Sequence, residues 1–151
     1  MSIFPTRILL ATDGSPDAAL ALETAVDIAN ATNSELQVVT AARGEPAYDI
    51  RIQEVAEQLR QEAQEVLDKQ VRRIGELGGT VKEAHVRMGR RRSDEIVNLA
   101  DELQAGLIVM GSRGLGGVRR ALMGSVSDAV VRHAHCPVLI VRRDEVAGER
   151  S

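Results

Sequence analysis

The sequence predicts an α/β protein, a doubly wound open parallel sheet of five strands with helices on both faces. Two observations carry this expectation. Short apolar runs alternate with helix-length segments in the order β-α-β-α-β-α-β-α-β, the pattern of a parallel sheet covered by its own crossovers. The runs are also continuously apolar, as in Ile8-Leu9-Leu10-Ala11 and Val138-Leu139-Ile140-Val141, which suits strands buried on both sides. A third observation points to where function lies: the fourth run stops at Gly111, and glycines follow at 114, 116, 117 and 124.

Taken in order, Arg7–Thr12 reads as the first strand and ends in Asp13-Gly14-Ser15-Pro16. Ser15 suits an N-cap and Pro16 the first helical position, so a helix follows, carried by apolar residues from Ala18 to Ala29. Leu36–Ala41 is the second strand, and residues 43–49, with Gly44 and Pro46, read as a loop. From Ile52 to Leu77, the residues Ile52, Val55, Ala56, Leu59, Ala63, Val66, Leu67, Ile74 and Leu77 recur at helical spacing. They predict one long amphipathic helix with this stripe buried, stopped by Gly78-Gly79. Val81–Met88 is the third strand, Ser93 caps a helix to about Leu103, and Leu107–Met110 is the fourth strand. Gly124–Ala134 is the last helix and Pro137–Val141 the fifth strand, with a polar end over residues 142–151. No linker or repeat divides the chain, so residues 1–151 are expected to form one domain.

Bulk composition narrows the function. A chain of 151 residues can bury a substantial core. Its 19 basic and 22 acidic residues give a formal charge of −3, which supplies no global attraction to nucleic acid or to an anionic membrane. Phe4 and Tyr48 are the only aromatics, against a base-stacking platform. The single cysteine, Cys136, excludes an internal disulfide and fits a reducing compartment. No apolar run is long enough to span a bilayer and no signal sequence is apparent, so a cytoplasmic location is expected.

Glycine lets the backbone approach a ligand closely, and a helix N-terminus offers N–H groups to an anion. A strand, a glycine-rich segment and a helix start therefore suit a phosphate. The segment is not a Walker loop, because no Gly-Lys-Ser/Thr occurs. It is not the dinucleotide fingerprint, because Arg119 stands where the third glycine belongs and the element follows the fourth strand rather than the first.

The spacing that fits is Gly111-x2-Gly114-x9-Gly124-Ser125. With Ile-Leu-Leu-Ala-Thr-Asp-Gly-Ser near the start, Val-Met-Gly-Ser-Arg-Gly in the middle, and Leu-Met-Gly-Ser-Val-Ser and His-Cys-Pro-Val-Leu-Ile-Val toward the end, the chain resembles the universal stress protein family, in its ATP-binding branch, along nearly its whole length. The resemblance implies a Rossmann-like sheet of order 3-2-1-4-5 with ATP between strands one and four. It implies that Asp13 lies near the ribose and any phosphate-bound magnesium, with Ala11 and Thr12 beside it. Val39 and its neighbours would line the adenine slot. Met110 flanks the loop, where core filling and adenine contact are both open. Gly111, Arg113 and Gly114 would wrap the ribose and phosphates, and Gly124, Ser125 and Val126 would offer N–H groups and a hydroxyl to the phosphates. It further implies a homodimer joined through the fifth strand, Val138–Val141.

The functional expectation is a nucleotide-dependent stress-response or signalling protein. No nucleophile, base and orienting group assemble in the sequence, so hydrolysis would at most be slow. Two rivals stand: a magnesium-dependent ATPase or nucleotidyl-transfer enzyme using Asp13, and a docking module that takes no nucleotide. Arg119 and Arg120 suit either a triphosphate or a solvated surface. Arg90-Arg91-Arg92 departs from the proline and small residues common in the family and reads as a solvated run, with a basic rim on the carboxyl edge of the sheet as the alternative. His133, His135 and Cys136 carry no ligand or catalytic pattern, with Cys136 taken as a small apolar residue.

Overall fold

The computed structural model describes residues 2–44, 49–113 and 123–143. Gly114, Gly116, Gly117, Arg119, Arg120, Pro46 and the chain end beyond Arg143 lie outside the described residues. The elements are β1 (Arg7–Ala11), α1 (Pro16–Thr32), β2 (Glu35–Arg43), α2 (Ile50–Glu76), β3 (Val81–Gly89), α3 (Arg92–Leu103), β4 (Leu107–Gly111), α4 (Ser125–His133) and β5 (Val138–Val141).

The strands form one sheet in the order β3-β2-β1-β4-β5, every pair parallel. β1 lies at the centre, and its Ile8, Leu9 and Leu10 are 0% exposed. That double-sided burial is why its sequence is apolar at successive positions. One sheet face is covered by α1 and α2, whose Ala21, Leu22, Ala25, Val26, Leu67 and Ile74 pack on Ile8, Leu10, Val38 and Val109. The opposite face is covered by α3 and α4, with Ile96, Leu99, Ala100 and Val130 over Leu9, Val39 and Ile108.

α1 starts as its sequence requires. Ser15 is the N-cap, its hydroxyl accepts from the Ala18 amide at 3.2 Å, and Pro16 opens the helix. Alanine at 18, 21, 25 and 29 lets the helix lie close to the strands beneath it.

Three expectations change on inspection. β2 and β3 run further than their apolar residues, pairing from Leu36 with Val81 as far as Arg43 with Gly89. The last ladder bond, from the Gly44 amide to the Gly89 carbonyl at 3.0 Å, extends a two-stranded ribbon beyond the three-strand centre. Ser93 does not cap α3. The N-cap is Arg91, without a side-chain cap bond, and Ser93 is a buried residue of the first turn. Asp94 and Glu95 in that turn complement the helix dipole instead.

The third change concerns α2, where only Ala63, Leu67 and Ile74 of the predicted stripe are buried. Ile52, Val55 and Leu59 are 52%, 59% and 37% exposed. The cause is length. A helix of 27 residues extends about 40 Å, whereas a nine-residue strand spans about 30 Å, so its first turns overhang the sheet.

Candidate functional site

β1 and β4 are neighbours in register, Ile8 with Leu107 through Ala11 with Met110. The chain leaves β1 toward the face that α1 covers, and the helix after β4 packs on the opposite face. The amino ends of α1 and α4 thus lie on opposite faces of the β1–β4 carboxyl edge, the place where an open α/β sheet accommodates ligands in a crevice.

The β1 side of the crevice is a tight turn. The Asp13 carboxylate accepts from the Ser15 amide at 2.9 Å, and Gly14 holds φ +79°, a conformation that favours glycine. Asp13 remains partly exposed at the edge. Thr12 is buried; its hydroxyl donates to Gln70 Oε1 at 3.1 Å and its amide to the Val39 carbonyl at 3.0 Å. Ala11, Val39 and Met110 are 5%, 0% and 6% exposed, so their side chains belong to the core and form the floor of the crevice.

The β4 side is built around Ser112. Its amide donates to the Val141 carbonyl at 3.0 Å, extending the β4–β5 ladder. Its hydroxyl donates to Asp17 Oδ2 at 2.7 Å. Its carbonyl accepts from the Gly124 amide and from the Ser127 hydroxyl, the latter at 2.6 Å. Gly111 precedes it for a packing reason. A β-carbon there would stand 2.8 Å from the carbonyl carbon of Asp17 and 2.9 Å from the Ala18 amide nitrogen, so the first turn of α1 fills the space. Arg113 follows, its carbonyl accepting from the Ser15 hydroxyl at 3.4 Å and its Nε 3.8 Å from Asp17 Oδ2.

α4 then begins with Gly124 as an N-cap that has no side-chain cap bond. Ser125 is exposed and Val126 half-buried in its first turn. The leading N–H groups of a helix have no partner inside the helix, so an amino end of this kind presents donors outward. The fold thus brings Asp13, Gly111, Arg113, Gly124, Ser125 and Val126 to one edge, with Ala11, Thr12, Val39 and Met110 beneath. Gly114 lies outside the described residues.

The sequence left Asp17, Ser112, Ser127 and Gln70 unassigned. The sequence marks Ser15 as a cap and carries no signal for its contact with Arg113. The only local signal for Asp17 was its place in a first helical turn, where a carboxylate suits the dipole.

Among the described residues no group of three or more His, Cys, Asp and Glu side chains is placed to hold a metal ion. His133 closes α4, whereas His135 falls past the helix and lies 3.0 Å from the Asp101 carboxylate. Cys136 is half-buried, and burial pushes its thiol above the usual range, with Asp101 adding to the effect. A thiol so disfavoured as thiolate is a poor nucleophile.

A five-stranded parallel sheet in the order β3-β2-β1-β4-β5, with helices on both faces, defines a doubly wound α/β protein. The chain belongs to the universal stress protein family, whose sequence profile matches residues 5–142. It is 36% identical over 142 residues to a universal stress protein homologue of Staphylococcus haemolyticus, covering 93% of this chain and 86% of that one. Among solved structures, it resembles a universal stress protein in complex with cAMP at 30% identity and TM-score 0.71, over 91% of this chain and 97% of that chain. It also resembles the universal stress protein from Archaeoglobus fulgidus in complex with dAMP, at 28% identity and TM-score 0.66, over 93% and 98% of the two chains.

Proposed function

We propose that this protein binds an adenine nucleotide, ATP, in the β1–β4 crevice and acts as a nucleotide-dependent stress-response or signalling protein of the cytoplasm. The observation that carries the proposal is the start of α4, where the N-cap is a glycine with no side chain to cap the helix and is tied to the end of β4 through the Ser112 carbonyl. Two similar proteins with solved structures in complex with cAMP and dAMP add support. In this arrangement the first-turn amides of Ser125 and Val126 and the Ser125 hydroxyl take the phosphates, while the Gly124 amide, expected from the sequence to join them, donates to the Ser112 carbonyl and holds the N-cap in place. Gly111, Arg113 and Gly114 border the ribose and phosphates. Asp13 accepts from a ribose hydroxyl or holds a magnesium ion carried in on the phosphates, since one carboxylate suits a cation that keeps most of its ligands from water and substrate. Ala11, Thr12, Val39 and Met110 form the adenine floor, chiefly through their backbone, because their side chains are interior.

In this reading the nucleotide is held rather than turned over, and hydrolysis is at most slow. The protein assembles as a homodimer through the free edge of β5, whose Val138–Val141 stay half-buried in a single chain and would be shielded by pairing.

The test is adenine-nucleotide extraction from freshly purified protein, followed by a thermal-shift titration with ATP and magnesium. A copurifying adenine nucleotide and a melting temperature that climbs with ATP are expected, because a ligand that favours the native state stabilises it by mass action. Gly114→Val should remove the shift in a dimer that stays folded. No nucleotide and no shift would favour the docking reading, for which the exposed apolar turns of α2 are the relevant surface. Fast turnover abolished in Asp13→Ala would favour the enzyme.

A further inference from the structure

We propose that Asp17 is a positioning residue for the phosphate end of the bound nucleotide, acting through Ser112 on Gly124, the N-cap of α4. The inference rests on the nucleotide reading above and adds to it a residue that lies beneath the crevice rather than in it. Asp17 is 4% exposed, yet it is a carboxylate. Its partners come from two segments, the end of β4 with the Ser112 hydroxyl at 2.7 Å and Arg113 Nε at 3.8 Å, and the end of β5 with Arg143 Nε at 3.9 Å. Burying a charge is unfavourable unless it is paired and hydrogen-bonded, and this one meets both conditions.

Ser112 transmits the constraint. A carboxylate only accepts, so the Ser112 hydroxyl must spend its proton on Asp17. The Ser112 amide is held by Val141 and its carbonyl holds both Gly124 and Ser127. Every polar group of Ser112 is therefore engaged, and one of them fixes the N-cap of α4. Gly111 lets β4 approach the backbone of Asp17 itself, which brings Ser112 within reach of the carboxylate. A displacement of Ser112 would move Gly124 and with it the amides aimed at the phosphates. The adenosine end is anchored by other bonds, Thr12 to Val39 and Gln70, and Asp13 to Ser15. Loss of Asp17 should accordingly weaken phosphate binding and spare the adenosine.

The experiment is titration calorimetry of the full chain with ATP and, separately, with adenosine. The proteins are the wild type, Asp17→Ala, Ser112→Ala, the double variant and Asp17→Asn. Each alanine variant should lose about tenfold in ATP affinity, the scale of one hydrogen bond to a charged group, with adenosine affinity changed less than about twofold. The double variant should lose no more than either single, because both remove one linkage. Asn keeps an acceptor for the Ser112 hydroxyl, so Asp17→Asn should restore most of the ATP affinity.

A parallel fall in ATP and adenosine affinity would mark Asp17 as merely structural and overturn the proposal, as would additive losses or wild-type ATP affinity in Asp17→Ala. If Asp17→Ala does not fold, Ser112→Ala and Asp17→Asn decide by the same ratio. A wild-type chain that takes up neither ligand overturns the nucleotide reading and this proposal together. Wild-type binding with an unchanged ATP-to-adenosine ratio in the variants overturns the positioning role alone.

Discussion

A methyl group at position 111 has nowhere to go, because the backbone of Asp17 and Ala18 occupies its place. The obstacle is helix backbone, which yields less readily than a flexible side chain. Gly111→Ala should therefore destabilise the protein by about 1–3 kcal/mol, the range for overpacking a well-packed interior. A urea unfolding curve measures it through a lower midpoint at unchanged slope. An unshifted midpoint would mean that α1 and β4 can separate cheaply. The same residue shows what a sequence reveals at this scale. Gly111, Gly124 and Asp13 were legible because glycine spacing and an Asp-Gly turn are local signals. Their roles were less so: Gly111 was expected against a ligand, and the structure gives it a neighbour in α1. The Ser112–Asp17 bond joins residues 95 positions apart, and nothing near either one announces the other.

Elements were legible by type and order, and less so at their limits. All nine fall where apolar periodicity puts them. The ends moved where tertiary pairing prolongs a strand, as in β2 and β3, or where a helix starts without its expected cap, as in α3. α2 shows a deeper limit. Periodicity gives the orientation of an apolar stripe but not whether a surface lies beneath it, and only the extent of the neighbouring strands decides that. The consequence can be measured on one helix. Leu67→Ala, at a site 1% exposed, should cost about 2–5 kcal/mol. Val55→Gln, at a site 59% exposed, should shift stability by no more than about 0.5 kcal/mol. Comparable losses at the two sites would mean that the overhanging turns are covered in solution, as a docking surface would be.

At the level of the whole molecule, stability should depend on pH through one edge of the sheet. His85 on β3 bonds Gln37 on β2 at 2.9 Å, beside Glu83 and the Arg87–Glu102 ion pair. Burial lowers its pKa below the ordinary value of 6.5; Arg87 lowers it further, while Glu83 and Glu102 oppose the shift. The unfolded chain thus takes up a proton at a pH where the folded chain does not. The contribution is complete above 6.5 and is lost as pH falls through 6.5 toward the lower folded value. In urea unfolding between about pH 7.5 and pH 5, the wild type should lose more stability than His85→Gln, the difference isolating this group from the carboxylates. Identical slopes would show that the ring protonates as easily in the folded protein as in the unfolded one.

The overhang of α2 has a last consequence, for how the native protein is first cut. A helix end without a packed face frays at little cost, whereas a turn seated on a core opens only when the core does. Arg51 and Arg60 stand on the unsupported turns, and Arg72 and Arg73 immediately precede the buried Ile74. Trypsin should nick the first pair while the second still resists, leaving a clipped protein whose sheet is intact.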